Sequence, residues 1–561
     1  MTNEDTMPLD STTRRVVLLL LIVPAILLVI GIYNGLLQTL YRAGIIQSSS
    51  LFGLDYYQGL TLHGVINALV FTTYFEVAFG YVVVAYFLRC RLHAGVTWAA
   101  FALMLVGTLL AAAAILAGAA SVLYTFYPPL RASPIFYVGA ALLVVGSWVP
   151  FFQWVAAYIA WRRAHPERRT PLAVIGMLAT FTVWLLATLP LAYEVIVLLI
   201  PWSLGLTATV NVVLARTLFW FFGHPLVYFW LLPAYVMFYV MLPELAGGKL
   251  YSDAAGRLAF MLFIVLSCPV GIHHQFTDPG IAVGYKWLHG TLTFLVAIPS
   301  FMTAFTVAAS LEYAARRRGG RGRFAWWARL PWFEPDRYLF AYFVAGLILF
   351  LFGGITGIIN ASVAMNSVVH NTSWIPGHFH TTIGGPVFLS FLGMTLFLVT
   401  QLTGKRLRLP RLNLWVPYLW MIGVFVFSIG LSVAGVLGEP RRTNLGLTYA
   451  NDASPLFQPA WALWSHLGAI GGVIMTVAMV GFFAVFFATL FGPRIAAPTL
   501  ALPAAAAYHD RELGAVRNFT PWVVAAVVLL VIAYVPPIYS VVTGPTESVP
   551  AFDPSSPLPF R

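Results

Sequence analysis

The chain has 561 residues, of which 60% are hydrophobic and only 9% charged. No soluble domain of this size has that composition, so the sequence is that of a polytopic membrane protein. The formal net charge of +12 raises nucleic acid as a partner, but the placement of the charges excludes it.

The stretch from Met1 to Arg15 is short and polar. The apolar run after it is long enough to span a bilayer and no small-residue cleavage site follows, so it is expected to be a retained first helix. Mostly apolar runs of spanning length then recur along one domain covering 1–561. The expected spans are roughly 16–40, 58–88, 96–123, 134–161, 171–200, 212–241, 257–277, 287–311, 338–363, 373–401, 413–437, 460–491 and 520–543. The fold class is therefore an all-α polytopic membrane bundle of about thirteen helices. Cys90 and Cys268 are far apart and form no pair motif, which excludes a disulfide framework and a thiolate metal centre.

With a cytoplasmic N-terminus, the inner tail and inner loops hold 24 of the 31 Lys and Arg residues, seven of them arginines between 316 and 337. That asymmetry orients the bundle and accounts for the positive charge without a nucleic acid.

Histidine in the hydrocarbon layer is costly and marks a functional site. His63 opens the second expected span. His224 lies about a dozen residues into the sixth, within Gly223-His224-Pro225-Leu226-Val227-Tyr228. His273 and His274 end the seventh, after Pro269 and Gly271, and His378 and His380 open the tenth. At about 1.5 Å rise per residue, all six fall in the outer half of the bilayer at related depths. His378 and His380 are two residues apart, about 200° around a helix, and so point to opposite faces. One distribution uses all six. His224, His273 and His274 make a three-imidazole site suited to copper or another first-row metal. One of His378 and His380 is the single axial ligand of a haem facing that metal, and the other pairs with His63 on a second haem.

With Gly223-His224-Pro225-x-Val227-Tyr228, His273-His274 and Pro376-Gly377-His378-Phe379-His380 in this order, the chain resembles subunit I of the haem–copper oxidase superfamily along essentially its whole length. The resemblance implies that His224, His273 and His274 bind copper, that His378 is the axial ligand of the oxygen-binding high-spin haem, and that His63 and His380 hold a low-spin haem. It implies that Tyr228 is cross-linked to His224 and supplies an electron and a proton when the O–O bond breaks. Leu226 stands where the commonest branch carries a glutamate, and in this the chain looks like the B-type (ba-type) branch, with a low-spin haem of b-type and a high-spin haem of a-type. That branch implies one proton route. Its candidates here are Tyr228, Tyr235 and Tyr239 on the sixth span and Ser300, Thr303 and Thr306 on the eighth. Haem propionates need outer-face donors, for which Arg441, Arg442, His370 and Asn371 are the candidates.

The expected activity is that of a cytochrome c oxidase, the four-electron reduction of O2 to water coupled to proton translocation. The expected setting is the inner (plasma) membrane of a bacterium or archaeon. Since the chain has no cysteine cluster, electrons must come through a subunit II with a two-copper site that docks cytochrome c, beside which a small single-helix subunit is implied. The rivals are nitric oxide reductase, a quinol oxidase and, outside the class, a transporter without redox cofactors. Glu76 and Glu194 are intramembrane acids without an assigned role, expected to pair with polar neighbours or to face a partner subunit.

Overall fold

The computed structural model describes residues 9–46, 53–444, 452–544 and 548–550. Most of the polar N-terminal stretch, 1–8, lies outside them. In chain order the helices are α1 Ser11–Arg42, α2 Tyr56–Leu88, α3 Ala94–Leu116, α4 Pro134–Ala164, α5 Leu172–Ser203, α6 Val212–Val240, α7 Asp253–Leu266, α8 Val283–Arg317, α9 Tyr338–Ala361, α10 Trp374–Thr403, α11 Pro410–Val436, α12 Pro459–Leu490 and α13 Thr520–Thr543. Helices are the natural element here, because a chain in lipid must satisfy its own backbone polar groups. Several of their starts carry side-chain caps. Asp10 accepts from Thr12 N and Thr13 N, and Asp55 forms a reciprocal capping box with Gln58.

Among the described residues, thirteen principal helices, shorter segments such as Val363–Val369 aside, match the expected number, but the seventh departs from expectation. As an α-helix α7 has 14 residues, about 21 Å, too short to cross about 30 Å of hydrocarbon. Among the described residues, the other twelve are long and apolar enough to cross. The chain leaves α7 for a turn and a 3-10 segment, Gly271–Gln275. Pro269 lacks the amide a helix would use. Gly271 sits so close to α6 that a Cβ would lie 2.0 Å from the Trp220 carbonyl oxygen.

The histidine-bearing helices form the centre of the bundle. In their most apolar stretches 89% of α2, 72% of α6 and 78% of α10 is buried, against 28–50% for the other spans. Outer helices pair through small residues. Gly107 on α3 meets Gly139 on α4, and Gly423 and Gly430 on α11 meet Gly471 and Gly468 on α12, with backbones too close for a Cβ. Two short sheets tie loops together: β1 Thr209–Asn211 pairs antiparallel with β4 Ser548–Pro550, and β2 Leu250–Ser252 pairs parallel with β3 Ala507–His509.

Candidate haem and copper site

All six intramembrane histidines singled out in the sequence line one cavity of about 500 Å³. Local backbone irregularity accompanies them. One turn of π-helix, Val65–Val70, begins two residues after His63, and another, Ile383–Val387, begins three residues after His380. Such turns are frequent at functional sites.

His63 and His380 face each other with ring centroids 6.2 Å apart and planes 10° from parallel. A metal between two imidazole nitrogens, at bonds of about 2.0 Å each, needs about this separation. His63 Nδ1 donates to the Gly31 carbonyl at 2.9 Å, and His380 Nδ1 donates to the Pro376 carbonyl at 2.7 Å. With the proton held on Nδ1, each Nε2 keeps its lone pair for a metal.

His378 leaves the opposite face of α10 towards α9. Its Nδ1 lies 2.8 Å from Thr356 Oγ1, whose own hydrogen is directed to the Gly353 carbonyl at 2.9 Å. The hydroxyl must therefore accept from His378, and Nε2 is again left free.

His224, His273 and His274 bring one ligand atom each within 4.8 Å of one another. His273 Nδ1 lies 2.8 Å from Thr293 Oγ1, which donates to the His289 carbonyl at 2.6 Å, so the same tautomer argument applies. His274 is stacked on Trp220 with centroids 3.8 Å apart. The 3-10 segment is braced from two sides. Tyr534 on α13 accepts from Gly271 N and donates to the Cys268 carbonyl, while His289 on α8 accepts from Ile272 N and donates to the Ala533 carbonyl at 2.9 Å. Tyr228 OH lies 3.1 Å from His224 Nε2, and Leu226 is buried in the cavity wall.

One end of the cavity, lined by Arg441, Arg442 and His370, is positively charged. Arg441 Nε, Arg442 Nη2 and His370 Nε2 are buried and have no partner among the described residues, and all three residues line the cavity. Burial, with Arg442 beside it, pulls the Arg441 guanidinium down to about 10. Burial, with Arg441 beside it, pulls the His370 imidazole down to about 4. Anionic groups placed among them would relieve that crowding, which fits the carboxylates of haem. Asn371 does not join them. It is exposed, and both its side-chain and backbone oxygens accept from Arg441, so it braces that arginine instead of lining the cavity. His370 Nδ1 donates to Asn366 Oδ1 at 3.0 Å, since the Asn366 amide nitrogen is committed to the Asn360 carbonyl.

Below the metal cluster, Tyr228, Tyr235 and Tyr239 follow one face of α6, all buried. Tyr239 OH donates to Thr303 Oγ1 at 2.6 Å. Among the described residues Tyr235 OH has no hydrogen-bond partner of good geometry, although Ser300 is the hydroxyl beside it, and Ser300 itself lines the cavity. Thr306 is buried, and the row continues to Ser310, which donates to the Thr306 carbonyl and accepts from Tyr251 N. The sequence reading missed Ser310, Thr293 and Thr356, because a lone Ser or Thr in an apolar helix carries no signal of its own. Glu76 and Glu194 correct the expectation made for them. Both are fully buried inside this chain, and no carboxylate oxygen of either has a hydrogen-bond partner among the described residues.

A three-imidazole cluster and a separate imidazole pair lining one cavity inside a membrane bundle point to the class of haem–copper proteins. The family profile described as Cytochrome C and Quinol oxidase polypeptide I matches residues 15–474, and the chain belongs to that family. It is 43% identical over 493 residues to cytochrome c oxidase subunit 1 of Thermus thermophilus, covering 86% of each chain. It is 27% identical over 277 residues to ubiquinol oxidase subunit 1 of Acetobacter aceti, covering 48% of this chain and 36% of that one. A solved structure of a heme-copper terminal oxidase dimer superposes with a TM-score of 0.96 at 49% identity, covering 98% of this chain and 97% of the other. The chain is thus an oxidoreductase, the haem–copper subunit I of a terminal oxidase, and a multi-pass membrane protein. The family implies haems and copper, and further subunits.

Proposed function

We propose that this chain is the catalytic subunit of a B-type (ba-type) cytochrome c oxidase that reduces O2 to water and couples this to proton translocation. Electrons would come from cytochrome c through a subunit II bearing a two-copper site, with a small single-helix subunit alongside, in the plasma membrane of a bacterium or archaeon. The observation that carries the reading is the division of six imidazoles into a cluster of three, a facing pair and a single ligand on the opposite side of α10.

In this reading His224, His273 and His274 hold copper, His378 holds the high-spin haem, proposed as a-type, and His63 and His380 hold the low-spin haem, proposed as b-type. When bound, these groups supply electron transfer and the reduction of O2. The chain supplies position and protons. Carbonyl and hydroxyl partners on Nδ1 lock four of the six rings in the tautomer that binds metal. The Tyr228 phenol holds a proton 3.1 Å from His224 Nε2, at the edge of the copper cluster. Ser300, Tyr235, Tyr239, Thr303 and Thr306 form the line along which that proton is replaced, and the Tyr239–Thr303 contact joins its two helices. Arg441, Arg442 and His370 receive the propionates. The absence of an acid at Leu226 supports a single proton route.

The deciding experiment is a pyridine haemochrome spectrum with metal quantification on the purified complex, followed by oxygen consumption with reduced cytochrome c or quinol. Two haems, one of each type, with one copper in subunit I and cytochrome c-driven turnover are expected. Non-haem iron in place of copper would assign nitric oxide reduction instead, and turnover with quinol alone would assign a quinol oxidase.

A further inference from the structure

The last turns of α8 and the loop from α8 to α9 together hold seven arginines and three acids, Glu312, Glu334 and Asp336, within residues 312–337. The structure divides those arginines into two groups. Arg316 pairs with Glu312, Arg318 with Glu334, and Arg337 with Glu334 at 3.1 Å. Arg337 also donates to the Leu245 carbonyl at 2.6 Å, and Arg318 to that of Arg329 at 2.8 Å. These three hold the loop against the helix ends. The other four, Arg317, Arg321, Arg323 and Arg329, are exposed and make no ion pair or side-chain hydrogen bond among the described residues. Asp336, also exposed, pairs with none of them.

The same loop exposes large aromatic side chains. Phe324 is 78% exposed, Trp327 54% and Phe333 63%. Arg323 lies over the Phe324 ring at 5.4 Å, and Phe333 packs on exposed Trp415 of α11 at 5.7 Å. Apolar rings of this size are held at the boundary between acyl chains and headgroups, where Trp and cationic side chains form interfacial belts. The register of α8 leads to the same boundary. Phe301, Phe305 and Tyr313 are exposed on one face at steps of four and eight residues, and Arg317 is the next residue of that row. An outward apolar row that ends in unpaired guanidinium groups follows the profile of one leaflet, from acyl chain to headgroup.

We propose that this loop is a binding surface for anionic phospholipid headgroups, with Arg317, Arg321, Arg323 and Arg329 as phosphate ligands and Phe324, Trp327 and Phe333 seated among the acyl chains. Guanidinium binds phosphate bidentately, and a basic cluster beside a spanning helix attracts anionic lipid additively, residue by residue. This inference is independent of the haem and copper assignments.

The test is native mass spectrometry of the purified complex, titrated with phosphatidylglycerol or phosphatidylcholine. The intact complex is expected to retain phosphatidylglycerol in preference. The variant R317Q/R321Q/R323Q/R329Q should bind it at least about tenfold more weakly, with phosphatidylcholine binding and the haem spectrum unchanged. The loop-tip variant R321Q/R323Q, which removes no ion pair or hydrogen bond and only the stacking of Arg323 on Phe324, should lose a smaller part of the preference if the fourfold variant fails to assemble. R162Q/R163Q, in the last turn of α4, should have no effect. Unaltered phosphatidylglycerol binding in both loop variants would overturn the proposal. So would loss of a co-purifying protein subunit with lipid binding intact, which would assign the loop to a protein partner.

Discussion

Tyr239 on α6 donates a 2.6 Å hydrogen bond to Thr303 on α8. Both groups are buried, and 64 residues of chain separate them. The contact joins the polar rows of the two helices on the α6 face that also carries Tyr228, beside the His224, His273 and His274 cluster.

Replacing Thr303 with Val removes the acceptor and leaves the Tyr239 hydroxyl buried without a partner, at a cost of about 1–3 kcal/mol in stability. Proton uptake, followed with a pH-sensitive dye during turnover, should slow several-fold while haem content stays constant. An unchanged rate would remove α8 from the route.

Tyr228→Phe keeps the ring against Phe263 and removes only the phenol 3.1 Å from His224 Nε2. Both haem signals and the copper content should persist. Oxygen turnover should fall by about 100-fold or more, in the range expected for loss of a positioned proton donor. Turnover near the parent value would show that Tyr228 has no chemical part.

Thr293→Val takes away the oxygen that holds the proton on His273 Nδ1. Copper affinity should drop by about 10–100-fold, measured by competition with a soluble chelator, while the His63–His380 haem is untouched. Equal copper retention in parent and variant would contradict the tautomer argument.

Gly35→Ala tests the low-spin site by shape alone. A Cβ at residue 35 would lie 2.6 Å from His63 Cε1 and 2.7 Å from its Nδ1, so the ring must move. The low-spin haem band should be lost or shifted in the reduced-minus-oxidised spectrum, with copper retained. A parental spectrum would mean that His63 tolerates displacement and does not set that haem's ligation.

The helical bundle and the six-histidine set were legible in the chain because each is a local signal. Spanning helices announce themselves as apolar runs, and a histidine within one is an anomaly wherever it stands. The two-residue spacing of His378 and His380 even divided them between two faces, as their contacts with Thr356 and His63 bear out. The expected length of the seventh helix failed for a reason that apolarity does not report. The run is mostly apolar, but the helix ends at Leu266 ahead of Pro269, which has no amide to offer it, and the chain turns where Gly271 closes on the Trp220 carbonyl.

Local pattern therefore determined the element type, the approximate spans and the residue types able to bind metal, since all three depend on the composition of a single segment. Tertiary structure decided which side chains meet. Thr293, Thr356 and the Gly31 carbonyl belong to helices distant in sequence from the rings whose tautomers they set. Asn371 and Arg441 stand in two different interhelical loops, and only packing turns one into a brace for the other. Glu76 and Glu194 are acids by sequence, yet only the fold left their carboxylates buried without a hydrogen-bond partner among the described residues. Hydrogen bonds reach about 3 Å, and no periodicity along the chain specifies contacts that close between helices tens or hundreds of residues apart.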